Sequence, residues 1–113
     1  MQVATKNARL LLKNGSYYYP VNTEDILYLV ADGAYTTVYL VNKNISVSKS
    51  LKAIVSKLDI TTFHRIHHST VININHITRF SKFDDNTVEM SNGKNLPIST
   101  NRKKEFYNTF KTI

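Results

Sequence analysis

The sequence predicts a mainly β fold of short antiparallel strands, and two observations support this prediction. Each of the three glycines follows Asn or Asp, in Asn14-Gly15, Asp32-Gly33 and Asn92-Gly93. This dipeptide tolerates the positive φ that tight hairpin turns require. Strand-like runs of roughly five residues flank each of these turns, and turns recur at intervals of about ten residues, a spacing typical of all-β sandwiches and barrels.

The strand-like runs are assigned in pairs around the glycine turns. Residues 10–13 and 17–21 flank the first turn, residues 26–30 and 35–41 the second, and residues 88–90 and 96–98 the third. Two more turns are expected at residues 42–44 (Asn-Lys-Asn) and 84–86 (Asp-Asp-Asn), where residues that favour turns cluster.

One segment has a helical pattern instead. Between residues 48 and 58, apolar side chains recur at i, i+3, i+4 and i+7, which makes one apolar stripe on a short helix. Ser48 or Ser50 can cap the start of this helix. A second short helix is expected after Ser99. The apolar residues of the two helices are Leu51, Ile54, Val55 and Leu58, and then Phe106, Tyr107 and Phe110.

Length and composition indicate one folded domain over residues 1–113. Hydrophobic residues make up 42% of the chain and charged residues 20%, a balance that disfavours disorder. The absence of cysteine excludes disulfides and thiolate metal sites. No apolar run approaches the roughly 20 residues needed to span a bilayer. We therefore expect a cytoplasmic protein that does not associate with membranes.

The charge of the chain is strongly positive. Fifteen Lys and Arg residues against eight Asp and Glu residues give +7 and a pI near 9.7. The stretch from Lys43 to Lys82 contains seven basic residues and one acidic residue, Asp59, so its net charge is +6. A basic chain of this size most often binds nucleic acid, while an anionic membrane or an acidic protein is a less favoured partner.

All four histidines fall within residues 63–77, FHRIHHSTVININHI. A metal site is disfavoured because no carboxylate lies between Asp59 and Asp84, and because strand alternation would place His67 on the face opposite His64 and His68. Catalysis is disfavoured because no nucleophile elbow, phosphate loop or paired-carboxylate spacing occurs. We therefore expect no metal, no cofactor and no enzymatic activity, with a histidine-dependent nuclease as a minor alternative.

A binding surface accounts for this block better. Arg65 and His68 offer hydrogen-bond donors without acidic competitors, and such donors suit phosphates and base edges. The order of residues in the block also resembles the most diagnostic block of the LytTR DNA-binding domain family, whose members are usually output domains of bacterial two-component response regulators. The shared pattern is Phe63-x-Arg65-Ile66-His67-x-Ser69-x-Val71-Ile72-Asn73, followed by Ile77.

The resemblance covers about residues 8–110. Three more segments match in order and spacing: a strand that begins Asp-Ile-x-Tyr, a short helix, and a closing hairpin with a basic tail. These are Glu24-Asp25-Ile26-Leu27-Tyr28-Leu29, then Ser50-Leu51-Lys52-x-Ile54-x-x-x-Leu58, then Val88-x-Met90-x-Asn92-Gly93-x-x-Leu96-Pro97-Ile98-Ser99 with Arg102-Lys103-Lys104.

The resemblance implies an elongated fold of about ten strands in three small antiparallel sheets, with one or two short helices. It implies sequence-specific binding of double-stranded DNA for transcription regulation, with loops in successive major grooves and bending of the DNA. It further implies paired direct repeats as targets, a monomer in solution with two copies on DNA, and a receiver domain in a longer parent chain. Residues 1–7 would then be a linker remnant.

Site residues follow from the resemblance by position. Thr36 occupies the position where some members place a base-contacting histidine. His68, Arg65 and Asn101 match positions that contact bases or phosphates, whereas strand alternation predicts a structural role for His67 and Ser69. The predicted DNA-binding residues are Tyr35, Thr36, Thr37, Ser48, Lys49, Ser50, Arg65, His68, Asn101, Arg102 and Lys103.

One rival interpretation belongs to a different class of binding protein. A β-barrel that binds RNA or single-stranded nucleic acid would stack bases on exposed aromatic rings. The chain offers five tyrosines for this purpose: Tyr17, Tyr18, Tyr19, Tyr35 and Tyr39.

Overall fold

The computed structural model describes residues 9–81 and 86–113. Within these ranges, ten strands form three antiparallel sheets, accompanied by two α-helices and two short 3-10 turns. The predicted β class, strand number and sheet number are therefore confirmed. Residues 1–7, expected to be a linker remnant, and Asp84 and Asp85 of the expected turn lie outside the described residues.

The elements follow one another along the chain with short connections. The first five strands are β1 (Arg9–Asn14), β2 (Tyr17–Asn22), β3 (Ile26–Asp32), β4 (Tyr35–Leu40) and β5 (Asn44–Val47), with a 3-10 turn at Thr23–Asp25. They are followed by α1 (Leu51–Val55), β6 (Phe63–His67), β7 (Thr70–Asn73), a 3-10 turn at Ile74–His76, and β8 (Ile77–Phe80). The last elements are β9 (Thr87–Met90), β10 (Asn95–Pro97) and α2 (Thr100–Tyr107).

A five-stranded sheet in the order β5-β4-β3-β7-β6 forms the centre of the molecule. The hairpin β1–β2 and a three-stranded sheet in the order β10-β9-β8 complete the fold. Gly15, Gly33 and Gly93 have φ values of 63°, 60° and 87°, so the three predicted hairpin turns are confirmed. The longest dimension of the molecule is 45 Å and the shortest 24 Å.

Both faces of the central sheet are buried. The hairpin β1–β2 and α1 cover one face, where Ile26 and Leu29 join the core, and the three-stranded sheet and α2 cover the other, where Leu27 and Tyr28 join a second core. Burial on both faces explains why β3 begins with the continuous apolar run Ile-Leu-Tyr-Leu-Val rather than with an alternating pattern.

The histidine block differs from its predicted conformation. Strand β6 ends at His67, residues 68 and 69 form a turn, and the pairing register between β6 and β7 shifts between Arg65 and His67. Strand alternation therefore does not extend to His68. The rings of His67 and His68 lie side by side, with centroids 4.3 Å apart, so the prediction that these side chains occupy opposite faces is wrong.

Candidate nucleic-acid interface

The antiparallel order brings three connections to one end of the central sheet. The β3–β4 turn and the β6–β7 turn meet there, because the amide of Ala31 donates to the carbonyl of Ser69 at 2.8 Å. The end of β5 lies at the same end, because Val47 pairs with Thr36 near the start of β4. The start of α2 is fixed nearby by the amide of Ser99, which donates to the carbonyl of Ile66 at 2.8 Å.

We call this region the turn end and define it as residues 32–37, 48–50, 65–70 and 99–103. It contains every residue predicted to bind DNA. The sequence separates these residues into four segments, and strand order brings the segments together. Basic or amide side chains reach the turn end from three of them: Lys49 after β5, Arg65 on β6, and Asn101 with Arg102 on α2.

Arg65 stabilises the β6–β7 turn. Its side chain is exposed, and its guanidinium donates from Nε to the carbonyl of His67 at 3.4 Å and from Nη2 to the carbonyl of His68. A guanidinium has five N–H donors in a planar fork, so donors remain for a phosphate or a base. Arg65 is therefore both a support of the turn and a side chain that a ligand can reach.

His67 provides a second support of the same turn. Its Nδ1 accepts a hydrogen bond from the amide of Ser69 at 3.2 Å and lies 3.0 Å from Ser69 Oγ. An amide N–H can only donate, so Nδ1 carries no proton and the ring proton is on Nε2. Partial burial lowers the pKa of His67 below its ordinary value of 6.5, and the neighbouring His68 and Arg102 lower it further.

The start of α2 presents Asn101 at the surface. Ser99 occupies the N-cap position, so Asn101 is not the cap and its amide side chain is exposed. Arg102 is half-buried and close enough to His67 to lower the pKa of that ring. Lys103 instead donates from Nζ to Asn86 Oδ1 at 2.7 Å and lies 5.8 Å from the centre of the Tyr107 ring.

The β5 edge of the turn end has more exposed side chains. Tyr35 is 54% exposed, and Lys49 is also exposed. Thr36, however, is 0% exposed, and its hydroxyl donates to the carbonyl of Lys49 at 2.8 Å. Thr36 thus fixes the backbone that carries Lys49, and its burial contradicts the prediction that its side chain contacts DNA.

The hydroxyls beside Lys49 are already partly engaged. Ser50 Oγ accepts from the amide of Ala53 at 3.1 Å and caps α1 as predicted. Thr37 Oγ1 lies 3.4 Å from Ser46 Oγ. Helix α1 contains only five residues and ends at Val55, so its stripe is shorter than the sequence predicts, and Leu58 packs against the core from the following segment.

The remaining histidines lie apart from this cluster. His76 Nε2 is 2.7 Å from the carbonyl of Glu24, and His64 is half-buried on β6. Across residues 9–81 and 86–113, no three His, Asp or Glu side chains lie together as metal ligands would. The tyrosines are likewise dispersed: Tyr39 stacks on Tyr28 at 4.6 Å, whereas Tyr17 and Tyr18 lie on the β1–β2 hairpin.

The structural role predicted for His67 and Ser69 agrees with their contacts across the turn, but their position beside His68 was not predicted. Alternation on one continuous strand would separate them from His68, whereas β6 ends at His67 and a turn follows. Their spacing was the available signal, because a histidine two residues before a serine can accept a hydrogen bond from the serine amide across a tight turn.

No helix in the described part of the chain is long and apolar enough to cross a membrane.

Comparison with known proteins gives a consistent result. A sequence model described as the LytTr DNA-binding domain matches residues 5–111. A solved LytTr DNA-binding domain from Bacillus cereus superposes with a TM-score of 0.78 at 26% identity, covering 89% of this chain and 94% of that one.

Longer curated relatives also match. The sensory transduction protein LytT of Bacillus anthracis is 33% identical over 87 residues, which are 75% of this chain and 35% of the relative. LytT of Bacillus subtilis strain 168 is 29% identical over 99 residues, 86% of this chain and 41% of the relative. The chain thus spans about two fifths or less of these relatives.

A β domain that gathers basic and amide side chains at one end of its central sheet has the surface expected of a DNA-binding domain. This chain belongs to the LytTr DNA-binding domain family, since the match extends over nearly all of it. DNA binding in transcription regulation is the function of this family.

Proposed function

We propose that the chain binds specific sequences of double-stranded DNA through the turn end and acts as the DNA-binding part of a transcription regulator. The observation that carries this proposal is that Lys49, Arg65, Asn101 and Arg102 all lie at one end of the central sheet. Basic side chains supply affinity through phosphates, and exposed amide and guanidinium groups can distinguish base edges.

The dimensions of the molecule suit contact with two grooves. Lys49 follows the edge strand β5, whereas α2 lies beside the opposite edge strand β6. Five strands about 4.8 Å apart separate these edges by roughly 19 Å before side-chain lengths are added. Successive major grooves on one DNA face lie roughly 34 Å apart, so contact with both requires the side chains at the two edges to extend outward and the DNA to curve toward them. Simultaneous contact with both grooves favours bending of the DNA.

We assign Arg65 and Arg102 to phosphate or guanine contacts, Asn101 and His68 to base edges, and Lys49 to phosphate. Tyr35 and Thr37, with Ser48 and Ser50, complete the surface. Lys103 joins it only by leaving Asn86. Thr36 acts through the backbone of Lys49.

The assembly and the parent protein extend this proposal. We infer that two copies, monomeric in solution, bind paired direct repeats. We also infer that the chain corresponds to the output part of a longer cytoplasmic response regulator with a receiver domain, as the length of the sensory transduction relatives suggests. A non-enzymatic role follows from this assignment.

Selection from a random duplex pool tests the function directly. We expect a defined sequence motif, and an affinity for it whose logarithm falls linearly as the logarithm of salt concentration rises. Single-stranded DNA and RNA of the same sequence should compete poorly. Equal competition by the single strands would favour the rival interpretation, and a pool that yields no motif would refute sequence-specific binding.

A further inference from the structure

We propose that His67 is a positioning residue whose neutral form holds the β6–β7 turn in the shape that presents Arg65 and His68 to DNA. Protonation of His67 releases this turn and weakens binding to the specific sequence. The inference rests on the proposed function and adds to it a proton-sensitive element within the same site.

The geometry gives His67 two contacts that depend on its Nδ1 atom. The Ser69 amide donates to Nδ1 at 3.2 Å, and Ser69 Oγ lies 3.0 Å away. Ser69 is fixed from the other side as well, because its carbonyl accepts from the amide of Ala31 at 2.8 Å. The Nδ1 lone pair therefore connects the turn to the end of β3.

A proton on Nδ1 would oppose this arrangement. The imidazolium would turn a second N–H toward the Ser69 amide, so that two donors would face each other where a donor and an acceptor now meet. The Ser69 amide would lose its partner, and the turn would have to rearrange to restore one. The His68 ring, whose centroid is 4.3 Å from that of His67, would shift with it.

The charged groups around His67 oppose protonation too. His68 adjoins it on the turn, Arg102 faces it from α2, and Arg65 binds the carbonyls of residues 67 and 68 from β6. Asp32, the residue after Ala31 on the adjacent strand β3, lies at the same end of the sheet and is the one acidic residue of the turn end; its carboxylate would favour the protonated ring, but it is not among the causes of the lowered pKa. Burial, His68 and Arg102 lower the pKa of His67.

The direction of the pH effect follows from this lowered pKa. The folded turn favours neutral His67, so the contribution of this residue is complete above the unfolded value of about 6.5. It is lost as the pH falls through the lower pKa of the folded state. A general gain of positive charge at lower pH acts in the opposite direction, because added positive charge favours DNA binding. A comparison within matched variants separates the two effects.

His67→Asn is the matched variant. Its Oδ1 occupies the same place along the side chain as Nδ1 and can accept the Ser69 amide, but it does not titrate near neutral pH. His67→Ala removes the acceptor. At pH 7.5, on a duplex selected with the wild-type protein, we expect His67→Asn to bind like wild type and His67→Ala to bind severalfold more weakly.

The decisive measurement is the ratio of wild-type to His67→Asn dissociation constants at pH 7.5 and pH 5.0. All other titrating groups are common to both proteins, so the ratio isolates His67. We expect it to rise severalfold at pH 5.0. It should remain below about thirtyfold, the value for an unshifted histidine with a pKa of 6.5 whose protonation abolishes binding.

A ratio that is the same at both pH values would overturn the inference, as would wild-type affinity in His67→Ala. NMR of the DNA-free protein gives a separate test: the Ser69 amide resonance should shift in wild type with the His67 titration and stay constant in His67→Asn. A wild-type protein that selects no duplex would refute the proposed function, while this amide measurement would still test the turn.

Discussion

The two edges of the turn end are built differently. At the β6 edge, Arg65 and His67 bond to the backbone of the turn they belong to, and Arg102 lies beside them. At the β5 edge, the exposed Lys49 side chain projects from a backbone held by the buried Thr36 hydroxyl. A pre-organised donor loses little entropy on binding, whereas a lysine acts as a mobile point charge. We therefore expect discrimination from the β6 edge and general affinity from the β5 edge.

Arg65→Ala should have the largest effect on this comparison. It removes a proposed donor to DNA and also the support of the carbonyls of His67 and His68. We expect a loss of about 1–3 kcal/mol of specific binding free energy, roughly 5- to 150-fold in affinity. Titration of the selected duplex by fluorescence anisotropy measures it.

Two variants control this experiment. Arg65→Lys keeps the charge but cannot form the planar fork of hydrogen-bond donors. Compared with Arg65→Ala, it should regain affinity for random duplex but not the preference for the selected duplex. Arg79→Ala removes an arginine from β8, outside the turn end, and should leave the preference intact. If Arg65→Ala and Arg79→Ala lost the same affinity for the selected duplex, Arg65 would contribute only positive charge and the turn end would not be a specific site.

Asn101→Ala should have the next largest effect, and it should reduce the preference for the selected sequence over random duplex. An amide paired with adenine contributes about 1–3 kcal/mol of discrimination. Because Asn101 is exposed on the first turn of α2 and is not its cap, its replacement should preserve the fold. Selection repeated with the variant should lose information at one base position. An unchanged motif would remove Asn101 from the recognition surface.

Local signals predicted the strands beside the three glycine turns, whereas the expectation of about ten strands in three sheets came from the family resemblance. The Asn-Gly and Asp-Gly dipeptides mark the hairpins directly, and the positive φ of Gly15, Gly33 and Gly93 agrees with them. The apolar run of β3 and the apolar stripe of α1 are also local patterns, and each correctly indicates a buried surface. Such patterns depend on backbone conformation and burial, which the local residue types largely determine.

The site was harder to predict because it depends on irregular backbone. Arg65, His68 and Asn101 were proposed from their positions in the family motif and remain predictions, whereas strand alternation wrongly separated His67 from His68. The register shift and the turn at residues 68 and 69 place those rings side by side. Thr36 is a different case, because it lies in the regular strand β4 and was assigned to DNA by its position in the motif. It shares the buried face of β4 with Val38 and Leu40, so strand alternation was the signal that predicted its burial.

Lys49→Gln should have a smaller and different effect. Loss of one phosphate contact weakens every duplex alike, by about threefold at moderate salt, and reduces the salt slope by roughly one unit. The selected motif should stay the same. Lys57→Gln, on the segment after α1, is a charge-matched control expected to change the slope less. A change of motif in Lys49→Gln would mean that the β5 edge also recognises bases.

Glu89→Gln should have the smallest effect. It tests whether a change of charge outside the turn end alters DNA affinity. Glu89 Oε1 accepts from Arg79 Nε at 2.9 Å across β8 and β9, and the Arg79 side chain is 81% exposed. Such an exposed pair contributes little to stability, so the unfolding temperature should scarcely change. The substitution raises the net charge by one unit outside the turn end. If overall charge governed DNA binding, affinity and salt slope would both increase as much as Lys49→Gln decreases them. We expect neither to change, because the proposed phosphate contacts lie at the turn end and Glu89 lies outside it.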